Sequence, residues 1–228
     1  MFTTVEIEAL ILSLKVALWA TFLTLPLAIL TAYILARRQF WGKFFVDTVV
    51  HIPLVVPPVV IGYLLLILLA PNTTIGGWLS SLGLSPAFKW QGAAIASGLM
   101  AFPLMVRSIR QAFEAEPVKY REVATTLAIP PSIQFWKISL PLAYPGILSG
   151  TVLGFARAIG EFGATITFVA NIPSLTQTLP LALYSAAQTP GGEAPAARLA
   201  LLCLVPALAS LAASEWLSRR AKLKAQPI

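Results

Sequence analysis

Residues 11–35 read ILSLKVALWATFLTLPLAILTAYIL, with Lys15 the only charged side chain among them. A helix needs roughly 20 mostly apolar residues to cross the hydrocarbon core of a bilayer, so this run is long enough to span one. Four more runs qualify, at about 48–70, 92–112, 143–170 and 196–217. All five read as helices. An open sheet edge would leave its N–H and C=O groups unsatisfied in lipid, and no run shows the ten-residue dyad alternation of an outer-membrane barrel. The expected fold is all-α: one transmembrane domain over residues 1–228 with five membrane helices. Composition points the same way, since 57% of the residues are hydrophobic and 11% charged, against about 25% charged in a soluble domain. Soluble enzymes, secreted scaffolds and nucleic-acid binders are thereby excluded, and the single cysteine, Cys203, rules out an internal disulfide framework. Glu6 and Glu8 stand where a cleavable signal would carry basic residues, so the first span is expected to stay.

The net charge of +7 matters less than where the charges lie. Arg37, Arg38 and Lys43 follow span one; Arg107, Arg110, Lys119, Arg121 and Lys137 lie between spans three and four; Arg219, Arg220, Lys222 and Lys224 end the chain. Twelve of the sixteen basic residues thus fall on one side, and the other side has Lys89 and Arg198. The positive-inside rule then places the N-terminus outside and the C-terminus in the cytoplasm. Lys15, near the outer end of span one, is expected to snorkel to the interface.

Prolines interrupt the spans: Pro26 in the first, Pro53, Pro57 and Pro58 in the second, Pro103 in the third. Each removes a backbone donor. Such breaks are tolerated as packed kinks or where they line a wet cavity, and both readings stand. Five helices are few to surround a solute path, so a symmetric homodimer with the path near its axis is the simplest closed arrangement.

The segment 114–141 is too polar to span. Pro117 suits a helix start, 120–127 holds no breaker, and Ala128, Ile129, Pro130 and Pro131 turn the chain. A second short helix is expected from Ser132, as its cap, to Ile138, with Pro141 starting the return into the membrane. Glu122-Val123-Ala124, then Ala128, then Ile138-Ser139-Leu140-Pro141 resembles the EAA loop of ABC importer permeases: E-x-A, a glycine four residues on, and I-x-L-P ten beyond it. Ala128 replaces the glycine, and alanine resists the left-handed conformation glycine supplies. The expectation is a tighter turn or one shaped by Pro130 and Pro131. The resemblance implies the type I importer permease fold and a cytoplasmic coupling helix that docks on an ATPase subunit, with Glu122, Ala124, Ala128, Ile138, Leu140 and Pro141 as its marker residues.

The chain has no G-x-x-x-x-G-K-[ST], so it has no P-loop, and ATP and Mg are expected to be used by a partner ATPase. No cofactor or metal is expected on this chain, since His51 is its only histidine and no H-E-x-x-H or G-x-S-x-G occurs. A passive anion channel is the rival of a different class; it would need no docking loop.

In span four, Gly146, Gly150, Gly154 and Ala158 recur every four residues and read as a close-packing face. Arg157 and Glu161 lie one turn apart. Ionised residues at membrane depth face the interior and pair, which suits either a structural ion pair or a gate. The surrounding Gly160-Glu161-Phe162-Gly163-Ala164-Thr165 resembles the sulfate/molybdate/tungstate branch of these permeases. So do residues 51–60, Phe102-Pro103-Leu104-Met105-Val106-Arg107 and Thr189-Pro190-Gly191-Gly192-Glu193, and the last of these inclines the resemblance to the molybdate permeases. It implies a subunit of a bacterial inner-membrane importer with four kinds of partner: a second copy of itself, ABC ATPases, an extracytoplasmic molybdate-binding protein and lipid. Sulfate or tungstate is the alternative solute. The path or gate is expected at Pro57, Pro58, Arg157, Glu161, Phe162, Gly163 and Thr165, with backbone N–H groups, hydroxyls such as those of Thr165 and Thr167, or a cation meeting the anion.

Overall fold

The computed structural model describes residues 3–83 and 85–225, without the side chains of residues 217–225. The side chains of Arg219, Arg220, Lys222 and Lys224 therefore lie outside the described residues. The described chain is helical, with no strand among the described residues. In order it runs α1 (Thr4–Arg37), α2 (Lys43–Val55), α3 (Pro58–Leu69), α4 (Thr74–Ser81), α5 (Trp90–Glu114), α6 (Val118–Thr126), α7 (Pro131–Gln134), α8 (Leu140–Ile159), α9 (Gly163–Val169), α10 (Leu179–Ala187) and α11 (Glu193–Ala225).

Thr3 and Glu6 start α1 with a reciprocal capping box, the hydroxyl accepting from the Glu6 N–H and the carboxylate from the Thr3 N–H at 2.7 Å. The helix then runs through Pro26 without interruption, as α5 does through Pro103. Size sorts the residues inside the bundle. Ala17, Ala20, Ala28, Ala32, Ala96 and Ala101 are buried, whereas Phe22, Leu64 and Leu204 face outward. A soluble core would reverse this. In lipid the apolar side chains gain nothing by turning inward, and helices associate through small residues that let backbones approach. Gly146, Gly150 and Gly154 do so against α5: an added Cβ at Gly150 would lie 3.0 Å from Ile109 and 3.3 Å from the Met105 carbonyl, and one at Gly154 2.5 Å from the Met105 side chain.

Four segments are each long and apolar enough to cross a membrane: α1, α5, Pro131–Ile159 and Glu193–Trp216. The run expected to form one span at 48–70 is instead two helices, α2 and α3, meeting at 112°. Proline explains the break. Pro57 and Pro58 both lack an N–H, and Val56 before them is held extended at ψ 136°. The fourth expected span, 143–170, also changes. Its helix stops at Ile159, residues 160–162 leave the α conformation, and α9 follows as a separate short helix.

At its near end α8 starts earlier than expected, because the second loop helix does not stop at Ile138. A π-helical turn, Phe135–Ser139, joins α7 to α8, and the Leu140 N–H reaches back to the Phe135 carbonyl. Pro141 therefore sits inside a continuous segment; the wider turn accommodates the ring and its missing donor. Ser132 does not cap. Pro131 opens α7 with its preset φ.

The bundle has two polar ends. One gathers Arg37, Asp47, Arg110, Glu114, Glu116 and the loop 115–139. The other holds Lys15, whose Nζ lies 3.9 Å from the centroid of the Trp90 ring, and the Glu6–Arg198 pair at 2.9 Å.

Candidate coupling loop and solute path

Along α6, Ala124 is buried and Glu122 exposed. The helix closes in a Schellman motif, with the Ile129 N–H donating to the Ala124 carbonyl at 3.0 Å and the Ala128 N–H to that of Thr125 at 2.9 Å. Ala128 takes φ +50°, so the turn keeps the geometry a glycine would give rather than a tighter one. The Gln134 amide bonds the Ile129 carbonyl at 2.7 Å across it. Val118, Tyr120, Val123, Leu127, Ile133 and Trp136 leave large apolar surfaces exposed around this loop. Ile138 lies in the π-helical turn, half-buried; Leu140 packs on the core around Phe113, and Pro141 is exposed.

Two contacts tie the loop to helix ends distant in sequence. Tyr33 of α1, Phe113 of α5 and Phe135 of the loop form an aromatic triad, with centroids 5.3 Å apart for Tyr33–Phe113 and 4.7 Å for Tyr33–Phe135. Beside it, Arg37 Nη2 donates to Glu116 Oε2. Nothing in the sequence pattern singled out Glu116 as a partner of Arg37. The two lie 79 positions apart.

The second region lies where two chain breaks touch. Gly163 packs on the α2–α3 break: an added Cβ would be 2.8 Å from Pro58 Cβ and 3.3 Å from the Val59 nitrogen. Gly62 fits likewise against Ala164 and Thr167. Pro57, Pro58 and Gly163, far apart in sequence, are thus brought together.

Arg157 Nη1 meets Glu161 Oε2 at 2.6 Å, and Glu161 Oε1 accepts the Ala164 N–H at 2.8 Å. One carboxylate therefore neutralises the cation in the last turn of α8 and satisfies an orphan donor at the start of α9. Glu161 is 2% exposed, and the Arg157 side chain 27%. The Phe162 ring packs on Tyr184 of α10, with centroids 5.2 Å apart. The hydroxyls expected to meet an anion are engaged elsewhere. Thr165 donates to the Phe162 carbonyl at 2.9 Å, and Thr167 to that of Gly163 at 2.6 Å. Both O–H groups close the turns of α9, a local bond that always competes for Thr in a helix.

Asp47, His51, Arg107, Arg110, Gln111 and Glu114 line a polar recess of about 260 Å³ between α2 and α5. Arg110 bridges Asp47 at 2.9 Å and Glu114 at 2.7 Å, and His51 Nδ1 donates to the Asp47 carbonyl at 2.7 Å. Among the described residues no group of three or more His, Cys, Asp and Glu side chains has the arrangement to hold a metal ion.

Residues 24–223 match the family described as binding-protein-dependent transport system inner membrane component. The chain belongs to that family. Among its relatives, the molybdenum transport system permease protein ModB of Haemophilus influenzae is 52% identical over 220 residues, covering 96% of each chain. ModB of Escherichia coli K12 is 50% identical over 221 residues, again with 96% of each covered. A probable sulfate transport system permease protein of Chlorokybus atmophyticus is 30% identical over 79% of this chain and 63% of its own length. In structure, this transport component is similar to a chain of the MetNI methionine ABC transporter in an inward-facing conformation (TM-score 0.66, 15% identity, 95% and 94% of the two chains covered). It is also similar to a chain of an amino acid ABC transporter (TM-score 0.63, 18% identity, the same coverage). The all-helical fold of the type I importer permeases is thereby shown for this family member.

Proposed function

We propose that the chain is the membrane-spanning permease subunit of an ATP-driven importer that passes molybdate into the cytoplasm by alternating access, as a homodimer fed by an extracytoplasmic binding protein. The single observation that carries the solute is the identity of 52% and 50%, over 96% of each chain, to proteins named for molybdenum transport. Against the sulfate permease the identity drops to 30% over a shorter alignment, which favours molybdate between dianions of one shape.

In this reading the loop 115–139 docks on a cytoplasmic ATPase subunit that supplies the energy, with the N-terminus outside and the C-terminus inside. Its exposed Val118, Tyr120, Val123, Leu127, Ile133 and Trp136 are a poor surface to leave in water and a suitable one to bury in a groove. Glu122 stands exposed on that surface, and Ala124 is buried beneath it. The path passes the junction of Pro57, Pro58 and Gly163, and the Arg157–Glu161 pair, already closed on itself, holds the break in α8 rather than the anion. Solute choice then rests chiefly with the binding protein.

The test is uptake of labelled molybdate in proteoliposomes containing the chain, its ATPase and its binding protein, with sulfate and tungstate as competitors. ATP-dependent uptake that sulfate does not compete away is expected. Uptake that continues without ATP would support a channel instead. Glu122→Arg should lower the yield of the permease–ATPase complex or uncouple hydrolysis from uptake; normal yield and normal uptake would refute docking through this face.

A further inference from the structure

Arg37 closes α1, and Glu116 lies between α5 and α6, two residues from each. Their side chains are 9% and 1% exposed, so the ion pair is withdrawn from water. A buried pair built for stability satisfies its remaining donors and lone pairs, because an unmet buried group carries the full desolvation penalty. This one does not. Arg37 Nε, Glu116 Oε1 and, on α6, Arg121 Nε are all buried without a hydrogen-bond partner among the described residues, and Arg37 feels both the repelling Arg121 guanidinium and the attracting Glu114 carboxylate. Arg37 thus sits among like and opposite charges, with Glu116 as its direct partner.

The loop continues covalently into α5 and α8, but α1 is not its neighbour in sequence. It reaches α1 through the Tyr33–Phe135 ring contact and the Arg37–Glu116 pair. At 34 residues α1 is about 51 Å long, and its far end is paired to α11 through Glu6 and Arg198 at 2.9 Å. Arg37 and Glu6 thus stand at opposite ends of one continuous helix.

We propose that Glu116 is a positioning residue for transport: it passes the movement of the ATPase-docked loop to α1 through Arg37. This rests on the docking reading above. In the subunit that folds and assembles, removing the charge should leave hydrolysis stimulated while transport falls.

The experiment uses the reconstituted complex of permease, ATPase and binding protein, and measures three quantities: complex yield, ATP hydrolysis and molybdate taken up per ATP. For Glu116→Gln and Arg37→Gln, folded yield should fall with the broken pair, but in the complex that assembles hydrolysis should hold while uptake per ATP drops about tenfold, the range of an ordinary coupling free energy. Arg37→Lys, which keeps the cation, should retain most of the uptake per ATP. Were Glu116→Gln not to fold, the Arg37→Gln and Arg37→Lys pair carries the test. Wild-type uptake per ATP in the Gln variants, or an Arg37→Lys variant as uncoupled as Arg37→Gln, overturns the inference while docking stands. A wild-type chain that forms no complex with an ATPase overturns the docking reading, and this inference with it.

Discussion

Replacing Glu161 by glutamine removes a charge and almost nothing else, which makes it the sharpest probe of the break between α8 and α9. The amide oxygen can still accept the Ala164 N–H that Glu161 Oε1 holds at 2.8 Å, so the loss falls on the 2.6 Å contact with Arg157. Stripping one partner from a fully buried pair costs roughly 3–5 kcal/mol. Arg157 is 27% exposed and regains some water, which brings the expected cost to about 1–3 kcal/mol. For a chain of this size that is a fall of roughly 2–12 °C in the unfolding midpoint. Glu161→Ala also removes the acceptor at the start of α9 and should cost about 1 kcal/mol more. The double variant Arg157→Gln/Glu161→Gln should recover most of the loss, because no unpaired cation remains. Unfolding in detergent, followed by intrinsic fluorescence, reads stability, and molybdate uptake with sulfate and tungstate as competitors reads function. A Glu161→Gln variant as stable as wild type, with unchanged uptake, would refute this account of the break. Altered anion preference at an unchanged rate would show that the pair touches the solute.

Three further outcomes are expected. Ala128→Gly should stabilise the chain by about 0.5–1 kcal/mol, since relief of the left-handed alanine slightly outweighs the extra freedom glycine has when unfolded; a lower unfolding midpoint would contradict the +50° turn. Gly163→Val should cost roughly 1–3 kcal/mol through its clash with Pro58, measurable as reduced folded yield and a lower midpoint, while wild-type stability would mean the two breaks do not pack as described. A reporter fused after Lys224 should read as cytoplasmic and one near Gly77 as external, and the reverse pattern would overturn the orientation drawn from the loop charges.

The spans were legible because a bilayer imposes a length and an apolarity that a sequence displays directly. The breaks were less so. Pro57-Pro58 is visible in the sequence as a weak point but not as a 112° corner, since how far a proline pair bends depends on what fills the corner, here Gly163. The end of α8 was hidden because Arg157 and Glu161 keep the i,i+4 spacing of a continuous helix, although Glu161 has already left it. Pro141 misled in the opposite direction: it reads as a stop, yet a π-helical turn carries the chain through it. The hydroxyls of Thr165 and Thr167 read as free donors because a sequence does not reveal which carbonyl a side chain has already found. Arg37–Glu116 could not be read at all, being a tertiary contact between two residues that each resemble an ordinary charge at a helix end.

The contact between Gly163 and Pro58 has a mechanical meaning. Helices α5 and α8 pack closely where Gly146, Gly150 and Gly154 receive Ala112, Ile109 and Met105. Two interruptions of the helical ladder, at residues 56–58 and 160–162, lie against each other. Gly163 fills the corner at Pro58, so the two breaks share one contact. The two interruptions fit together like the leaves of one knuckle drawn from opposite halves of the chain, and the absence of a methyl group at Gly163 is the clearance that lets them meet.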